Sequence, residues 1–263
     1  MRLWWELAKR EFRRTSTYRG ATIAGVFTNT VFGFIQAAVM LAVFSQRDVV
    51  GGFDATDALT YVFVTQGMLM VISAFGGSGE IGERVRSGDV VTDLFRPVDF
   101  QLYWLTRDLG RALFHALARG IPPFLVGAMA FDLRLPSPVQ AVAFVVAVAL
   151  ANVASFGFRF LLGLTSFWLL DDRGPVQLAN FIWLFLSGFI LPITFFPGWL
   201  EGLARLTPFP AMVQVPVEVF LGKYSGVGLI GAFGGQLIWI AALLGAGRIV
   251  VSAATRKVVI QGG

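Results

Sequence analysis

The sequence predicts an all-α membrane protein with six transmembrane helices, and three observations support that fold class. Hydrophobic residues occupy 56% of the 263 positions and charged residues only 14%, whereas soluble domains contain about 45–50% and about 25%. The apolar residues form stretches of the length that a hydrocarbon layer roughly 30 Å thick requires. The 21 Lys and Arg residues concentrate in alternate connections between these stretches. This composition excludes an ordinary soluble domain and a disordered chain.

The first element, residues 1–19, is predicted to be an amphipathic helix that lies in the membrane interface. Its basic side faces anionic lipid head groups and its apolar side faces the membrane. The apolar run that follows is about 25 residues long, beyond the 7–15 residues of a signal-peptide core, and so indicates a membrane anchor. A simple positive-inside anchor without a further role is the alternative. The apolar face comprises Leu3, Trp4, Leu7, Ala8 and Phe12.

Six apolar stretches are predicted to span the membrane, and a seventh is not. Residues 194–222 are broken by four prolines, and neither half is long enough to cross. We therefore expect re-entrant extracellular helices in that segment. The predicted spans are about 20–45, 57–78, 109–131, 139–170, 176–193 and 227–251. The residues that mark the re-entrant segment and its approach are Pro192, Phe196, Pro197, Trp199, Pro208 and Pro216.

The distribution of positive charge predicts that both termini are cytoplasmic. Lys and Arg residues cluster before span one, between spans two and three, and after span six, and cytoplasmic connections carry this excess. Six spans, an even number, place both termini on the same side of the membrane. No internal repeat and no long linker divides the sequence, so residues 1–263 are predicted to form a single membrane domain.

The cytoplasmic loop, residues 79–108, is the longest polar stretch. Its sequence favours a short helix over 80–86, a break at 87–89, a second helix over 89–95 and a stop at Pro97. Both helices have an apolar face. One interpretation is a surface on which a soluble partner docks, and the other is a solvated loop with local ion pairs.

Polar residues inside the predicted spans allow two interpretations. Arg111, His115 and Arg119 recur every four residues in span three and so share a helical face. They line a cavity beside the Pro122–Pro123 pair, or they bond to neighbouring spans for structural reasons alone. Arg159 in span four has the same two interpretations, and the sequence does not pair it. No acidic residue is predicted deep within a span, which argues against a proton-coupled pump.

Phenylalanines at a spacing of four form a stripe in span five. Phe181, Phe185 and Phe189 fall on one helical face. This stripe could line a route for an apolar or aromatic substrate, or it could serve helix packing and lipid contact. Together with His115 and Arg119 these residues are the candidate substrate path.

Several residue types that carry chemistry are missing or rare. The chain has no cysteine and a single histidine, which excludes disulfides, thiolate metal sites and a multi-histidine metal site. None of the three lysines lies in a phosphate-binding-loop motif. We therefore expect no catalytic residue, metal or cofactor in this chain. If its work requires ATP, another polypeptide hydrolyses it.

Two groups of motifs resemble ABC-2 type exporter permeases. The first is Arg86-Ser87-Gly88-Asp89 followed by Leu94-Phe95-Arg96-Pro97, which is similar to the first cytoplasmic loop of the six-span members. The second runs from Ser187 to Pro192 and continues through Phe195–Leu200, Leu206–Phe209, Pro216 and Phe220–Gly222. It resembles the end of span five and the membrane-dipping extracellular helices of the same family.

The resemblance implies a bacterial plasma-membrane permease that moves a drug, natural product or lipid-like compound out of the cytoplasm or inner leaflet, as in multidrug efflux. Two copies of an ABC ATPase would bind ATP and Mg, and a second permease, identical or related, would complete the dimer. A coupling helix in 79–96 and the turn after span four would contact the ATPase, and no nucleic acid is expected as a partner. The implied coupling residues are Glu80, Glu83, Arg84, Arg86, Gly88, Asp89, Arg96, Asp171, Asp172 and Arg173.

Other functions remain as alternatives. A secondary transporter would require intramembrane acids or broken helices in both halves of the chain. A lipid-modifying membrane enzyme would require a cluster of acids, histidines or a nucleophile. A non-transporting assembly protein of the membrane fits the composition as well.

Overall fold

The computed structural model describes residues 2–73, 79–169 and 172–261, with side chains up to residue 255. It is all-helical, and the described residues contain no strand. The helices are α1 (Arg2–Ser16), α2 (Arg19–Phe44), α3 (Ala55–Met68), α4 (Gly79–Ser87), α5 (Val90–Leu94), α6 (Phe100–His115), α7 (Ile121–Ala130), α8 (Pro138–Leu164), α9 (Arg173–Leu186), α10 (Gly198–Arg205), α11 (Gln214–Phe220) and α12 (Val227–Gln261). The prediction of an all-α membrane protein is confirmed at this level.

Four helical segments are long and apolar enough to cross a membrane. They are Arg19–Phe44, Phe100–Ala130, Pro138–Phe167 and Val227–Thr255. In contrast, α3 and α9 have 14 residues each, and a 14-residue helix is about 21 Å long, short of the roughly 30 Å hydrocarbon layer. The count of six spans therefore remains a prediction.

The helix at predicted span three begins earlier than expected and changes its winding midway. It begins at Phe100 rather than near residue 109, because Asp99 caps it by accepting a hydrogen bond from the Leu102 amide at 2.7 Å. Residues Ala116–Gly120 form a π-helical turn between α6 and α7. Pro122 and Pro123 have no amide hydrogen to donate to carbonyls four residues earlier, and the wider turn accommodates this loss.

Helix α3 lies at the centre of the bundle. All its residues from Asp57 to Met68 are buried. The ring of Phe63 fits between two glycines, since a Cβ on Gly33 or Gly127 would approach ring atoms to 2.9 Å or 2.4 Å. Burial on every side explains why the sequence of α3 shows no amphipathic pattern.

The proline-broken segment 194–222 folds back onto the bundle. A 3-10 turn, Ile193–Phe195, is followed by α10 and then by α11, which packs against α8 and α3. Pro197 precedes α10, while Pro216 is buried within the first turn of α11, where a missing amide hydrogen costs no helical bond. Trp199 is 73% exposed, and Phe196 stacks on Phe185 with ring centroids 5.1 Å apart. Whether this segment dips into a membrane remains a prediction.

The described helices bring the basic segments of the chain together at one end. Helix α1 packs on α6, α4 packs on α8, and the apolar cluster beneath α4 and α5 includes Val250 and Val251 of α12. We call this end, with α1, α4, α5 and residues 165–169 and 172–173, the arginine-rich end. The other end, formed by residues 45–54, 187–226 and the α7–α8 connection, is called the opposite end.

Candidate partner-docking surface

The two short helices of the loop 79–108 form as the sequence predicts. Helix α4 ends at Ser87, α5 begins at Val90, and Gly88 between them has φ +82°. Residues with a Cβ rarely adopt this left-handed conformation, so the glycine permits the sharp turn between the helices.

Apolar packing fixes these helices to the membrane domain. Ile81 of α4 and Val90 of α5 are buried against Phe156, Phe160 and Leu164 near the end of α8. The predicted apolar faces therefore pack on protein, except that Phe95 at the end of α5 is exposed. A force on α4 would be transmitted directly to α8, because packed interiors deform little.

Ion pairs hold α5 against α4. Asp93 is buried and pairs with Arg84 and, at 3.1 Å, with Arg96. The Arg84 guanidinium also donates to the backbone oxygen of Asp89 at 3.2 Å, and the Arg96 guanidinium lies 4.7 Å from the centre of the Tyr103 ring. Arg84 and Arg96 thus have internal partners, and they shape the loop.

A second ion pair joins the two segments that the family resemblance implies as partner contacts. Arg86 donates to Asp172 Oδ1 at 2.6 Å, and Ser166 Oγ donates to Asp172 Oδ2 at 2.7 Å. The Asp172 side chain is 2% exposed, whereas Arg173 beside it is exposed at the start of α9. Asp171 lies outside the described residues. The sequence placed both segments on one side of the membrane, and the structure shows them in direct contact.

The outward side of α4 and α5 combines charge with one large apolar residue. Phe95 is 83% exposed. Glu83, Gly88 and Asp89 of the same loop are exposed too, and the carboxylates of Glu83 and Asp89 form no ion pair with any described residue. The neighbouring docking segment adds Trp168, which is 45% exposed, and exposed aromatic residues beside charged ones are typical of anchor residues at a protein interface.

Helix α1 is tied to the same surface by charge. Arg107 donates to Glu11 and to Glu80, each at 2.9 Å, and Arg14 also reaches Glu80 at 3.4 Å. Burial alone would raise the pKa of Glu80, but hydrogen bonds and charge from Arg107 and Arg14 outweigh it and leave this pKa below its ordinary value. The sequence singled out Glu80, but not Glu11 or Arg107, because they lie in elements distant along the chain.

Beneath this surface lies a buried carboxylate that the sequence analysis placed before span three. Asp108 lies within α6, is 8% exposed and accepts hydrogen bonds from Arg159 at 3.0 and 3.2 Å. Arg111 donates to Asp108 at 3.0 Å and to the backbone oxygens of Met70 and Val71 at 2.6 and 2.9 Å. Asp108 lies inside the helix rather than before it, because the helix starts earlier than the apolar stretch; the expectation that no acid lies deep within a span stays a prediction. The structural interpretation of Arg111 and Arg159 agrees with these contacts.

The residues of the candidate substrate path lie on different helices and differ in exposure. His115 is 7% exposed, and a Cβ on Gly25 of α2 would be 1.7 Å from Arg119 Nη2, so the Arg119 side chain lies against α2. The π-helical turn that contains Arg119 begins directly after His115. That these residues line a transport path stays a prediction.

The predicted phenylalanine stripe of span five is interrupted. Phe181 and Phe185 are 64% and 39% exposed on α9, whereas Phe189 is 6% exposed and packs against Trp183. The stripe ends because α9 stops at Leu186 and Gly188 then adopts φ +86°. The prediction that all three share a helical face was wrong.

Comparison with known proteins places the chain in context. The family model described as ABC-2 family transporter protein matches residues 30–262, which include the second part of α2 and every helix after it. A search among curated proteins finds no match to the chain.

Proposed function

Because the chain belongs to the family of ABC-2 transporter proteins, we propose that it is the permease subunit of an ATP-driven exporter. A separate ABC ATPase supplies the energy, and ATP and Mg are bound by that partner. A second permease, identical or related, completes the assembly with two ATPase copies. The arginine-rich end faces the cytoplasm of a bacterium, in agreement with the positive-inside rule.

One observation supports this proposal above the others. The two segments that should contact the ATPase are held together by the Arg86–Asp172 pair, so α4, α5 and residues 165–169 and 172–173 present one surface. Phe95 projects from that surface. We propose that Phe95 inserts into a groove of the ATPase while Glu83, Asp89 and Arg173 surround it with charge.

Energy would pass from this surface into the membrane domain in two steps. The packing of Ile81 on the end of α8 carries motion to α8. The pairs between Asp108, Arg111 and Arg159 then link α8 to α6 and to the chain after α3. ATP can drive this movement only if it binds the closed pair of ATPase subunits more tightly than the open pair.

The transported compound is proposed to be hydrophobic or amphipathic, such as a drug, natural product or lipid-like molecule. The exposed rings of Phe181 and Phe185 on α9 are apolar surface that such a compound could contact. His115 and Arg119 remain candidates for a polar part of the path. Export from the cytoplasm or inner leaflet is the proposed direction.

The test is capture of an ABC ATPase by the full-length permease. The tagged chain is co-expressed with each ABC ATPase of its genome, purified in mild detergent and assayed for bound ATPase and for efflux of a lipophilic dye. Phe95→Glu should abolish capture, whereas Leu206→Glu, an equally exposed apolar residue at the opposite end, should not. Capture that survives Phe95→Glu would reject the docking surface, and failure of the wild-type chain to bind any ATPase would reject the function.

A further inference from the structure

An elongated cavity of about 520 Å³ lies between α3, α6–α7, α8 and α11. Its wall is almost wholly apolar and includes Val64, Ala112, Gly120, Phe124, Phe144 and Asn152. It extends from Leu109 to Phe124 along α6–α7, a helical length of about 22 Å at 1.5 Å per residue. None of the coupling or substrate-path residues predicted from the sequence lines it.

The cavity opens on the outside of the helical bundle. Leu113, Ile121 and Val145 belong to its lining and are 53%, 49% and 67% exposed. These residues lie on segments long and apolar enough to cross a membrane. A molecule dissolved in the bilayer would therefore reach the cavity sideways, without passing through water.

Asn152 gives the cavity a polar point. It lies near the middle of α8, is 2% exposed, and neither its Oδ1 nor its Nδ2 has a hydrogen-bond partner among the described residues. Other buried amides keep at least one partner: Asn29 donates to the Gln66 backbone oxygen at 3.1 Å, and Gln236, whose Oε1 is also unpartnered, donates to the backbone oxygens of Ala147 and Ala211 at 3.0 and 2.8 Å. Buried polar groups almost always have partners. An unpartnered carboxamide in the wall of an apolar cavity indicates that a ligand supplies them.

The lining also restricts the charge of the ligand. None of the described residues that line the cavity is acidic or basic. A charged group held there would lose its hydration without gaining a counter-charge. The volume of the cavity lies within the roughly 300–1,000 Å³ of ordinary ligand sites.

We infer that this cavity binds an uncharged, elongated apolar molecule from the bilayer, and that Asn152 hydrogen-bonds to a single amide, hydroxyl or carbonyl group on it. The site lies within one permease and requires no ATPase. It therefore does not depend on the proposed transport function.

The test uses the full-length permease in lipid nanodiscs and a tetradecanamide that carries a photoreactive diazirine in its chain. Labelled peptides should come from residues 109–124 and 144–152. Unlabelled tetradecanamide should compete about fivefold better than tetradecane, as one hydrogen bond to a neutral group predicts. Tetradecanoate, which is charged, should compete least.

Two variants separate the site from general lipid contact. Ala149→Phe places a ring in the cavity and should weaken labelling by about tenfold, whereas Val146→Phe, on the same helix but outside the lining, should not. Asn152→Leu should remove the advantage of the amide over tetradecane and leave tetradecane competition unchanged.

Three results would overturn the inference. The first is equal labelling of Ala149→Phe and Val146→Phe. The second is equal competition by the amide and the hydrocarbon in the wild-type protein. The third is crosslinking that joins two permease copies through Leu113 or Val145, since a second copy would then cover the opening.

Discussion

Partly exposed ion pairs occur at both ends of the molecule, with Arg134 and Lys223 pairing with Asp57 at the opposite end, but the opposite end adds a fully buried chain of side-chain hydrogen bonds. At the arginine-rich end, ion pairs with a partly exposed arginine join separate helices: Arg86 is 35% exposed in its pair with Asp172. At the opposite end, Tyr61, Gln214 and Glu218 are buried and bonded in a chain, with Tyr61 donating to Gln214 at 2.6 Å and Gln214 donating to Glu218 at 2.8 Å. Partly solvated ion pairs contribute little and can exchange, whereas buried hydrogen bonds are costly to leave unmade. The buried chain favours a rigid opposite end, in agreement with the proposal that the arginine-rich end is the one that docks a partner.

The largest expected effect lies where the arginine-rich end meets the bundle. Asp108→Asn removes the negative charge from between Arg111 and Arg159, and uncompensated buried charge destabilises by about 3–5 kcal/mol. Thermal unfolding of the purified protein measures the loss. Asp99→Asn makes the same chemical change at the N-cap of α6. Because Asn caps helices as well as Asp, this variant should have almost no effect on stability. Similar losses in both variants would show that Asp108 is not the electrostatic centre described above.

At the opposite end, Gln214→Leu should have the next largest effect. It leaves the Ile193 amide and the Glu218 carboxylate short of a partner, while the Tyr61 hydroxyl keeps the Gly188 backbone oxygen as acceptor, and the loss costs about 1–3 kcal/mol. ATPase capture should be unchanged, since the change is distant from α4 and α5. The matched variant is Gln177→Leu, an exposed glutamine on α9, which should leave stability unaltered. Loss of ATPase binding in Gln214→Leu would contradict the separation of the two ends.

Arg86→Ala should affect stability less than function. Its pair with Asp172 is partly solvated, so its loss should cost about 1 kcal/mol or less. The two docking segments would separate, however, and dye efflux by the assembled exporter should fall more than ATPase capture does. Arg86→Lys should restore part of the efflux, while Arg47→Ala, an exposed arginine at the opposite end, should change neither. Unaltered efflux in Arg86→Ala would show that the bridge does not serve coupling.

The smallest effect is expected from pH acting on α1. The pKa of Glu80 lies below its ordinary value of 4.5. The stabilisation that ionised Glu80 gives to the contact between α1 and α4 is therefore present above pH 4.5 and is lost as the pH falls through the lowered pKa. Spin labels on α1 and α4 should report loosening only in strongly acidic buffer. Glu80→Gln should show the loosened state at neutral pH. Separation of the helices in wild-type protein above pH 5 would have another cause.

The sequence was sufficient wherever local chemistry decides the structure. It predicted the α4–α5 pair because Ser87, Gly88 and Pro97 act on their own neighbours. It failed to predict that α9 ends before Phe189, because a phenylalanine spacing carries no information about the left-handed Gly188. The sequence placed Asp108 before the helix, because a charged residue lowers the local hydropathy even where arginines pair with it in the folded protein. Pairs such as Arg86–Asp172 join residues far apart in sequence, and only the packed fold brings them together.

The bridge between Arg86 and Asp172 also affects how such permeases can be recombined. Under the proposed function, the preference for one ATPase would reside in a surface formed by two segments, residues 79–97 and residues 165–173. Each segment must fit the other as well as the ATPase. A chimera that exchanges only the first half would inherit an arginine without its matching carboxylate. Transplanting both halves as one cassette is the smallest exchange that preserves the contact.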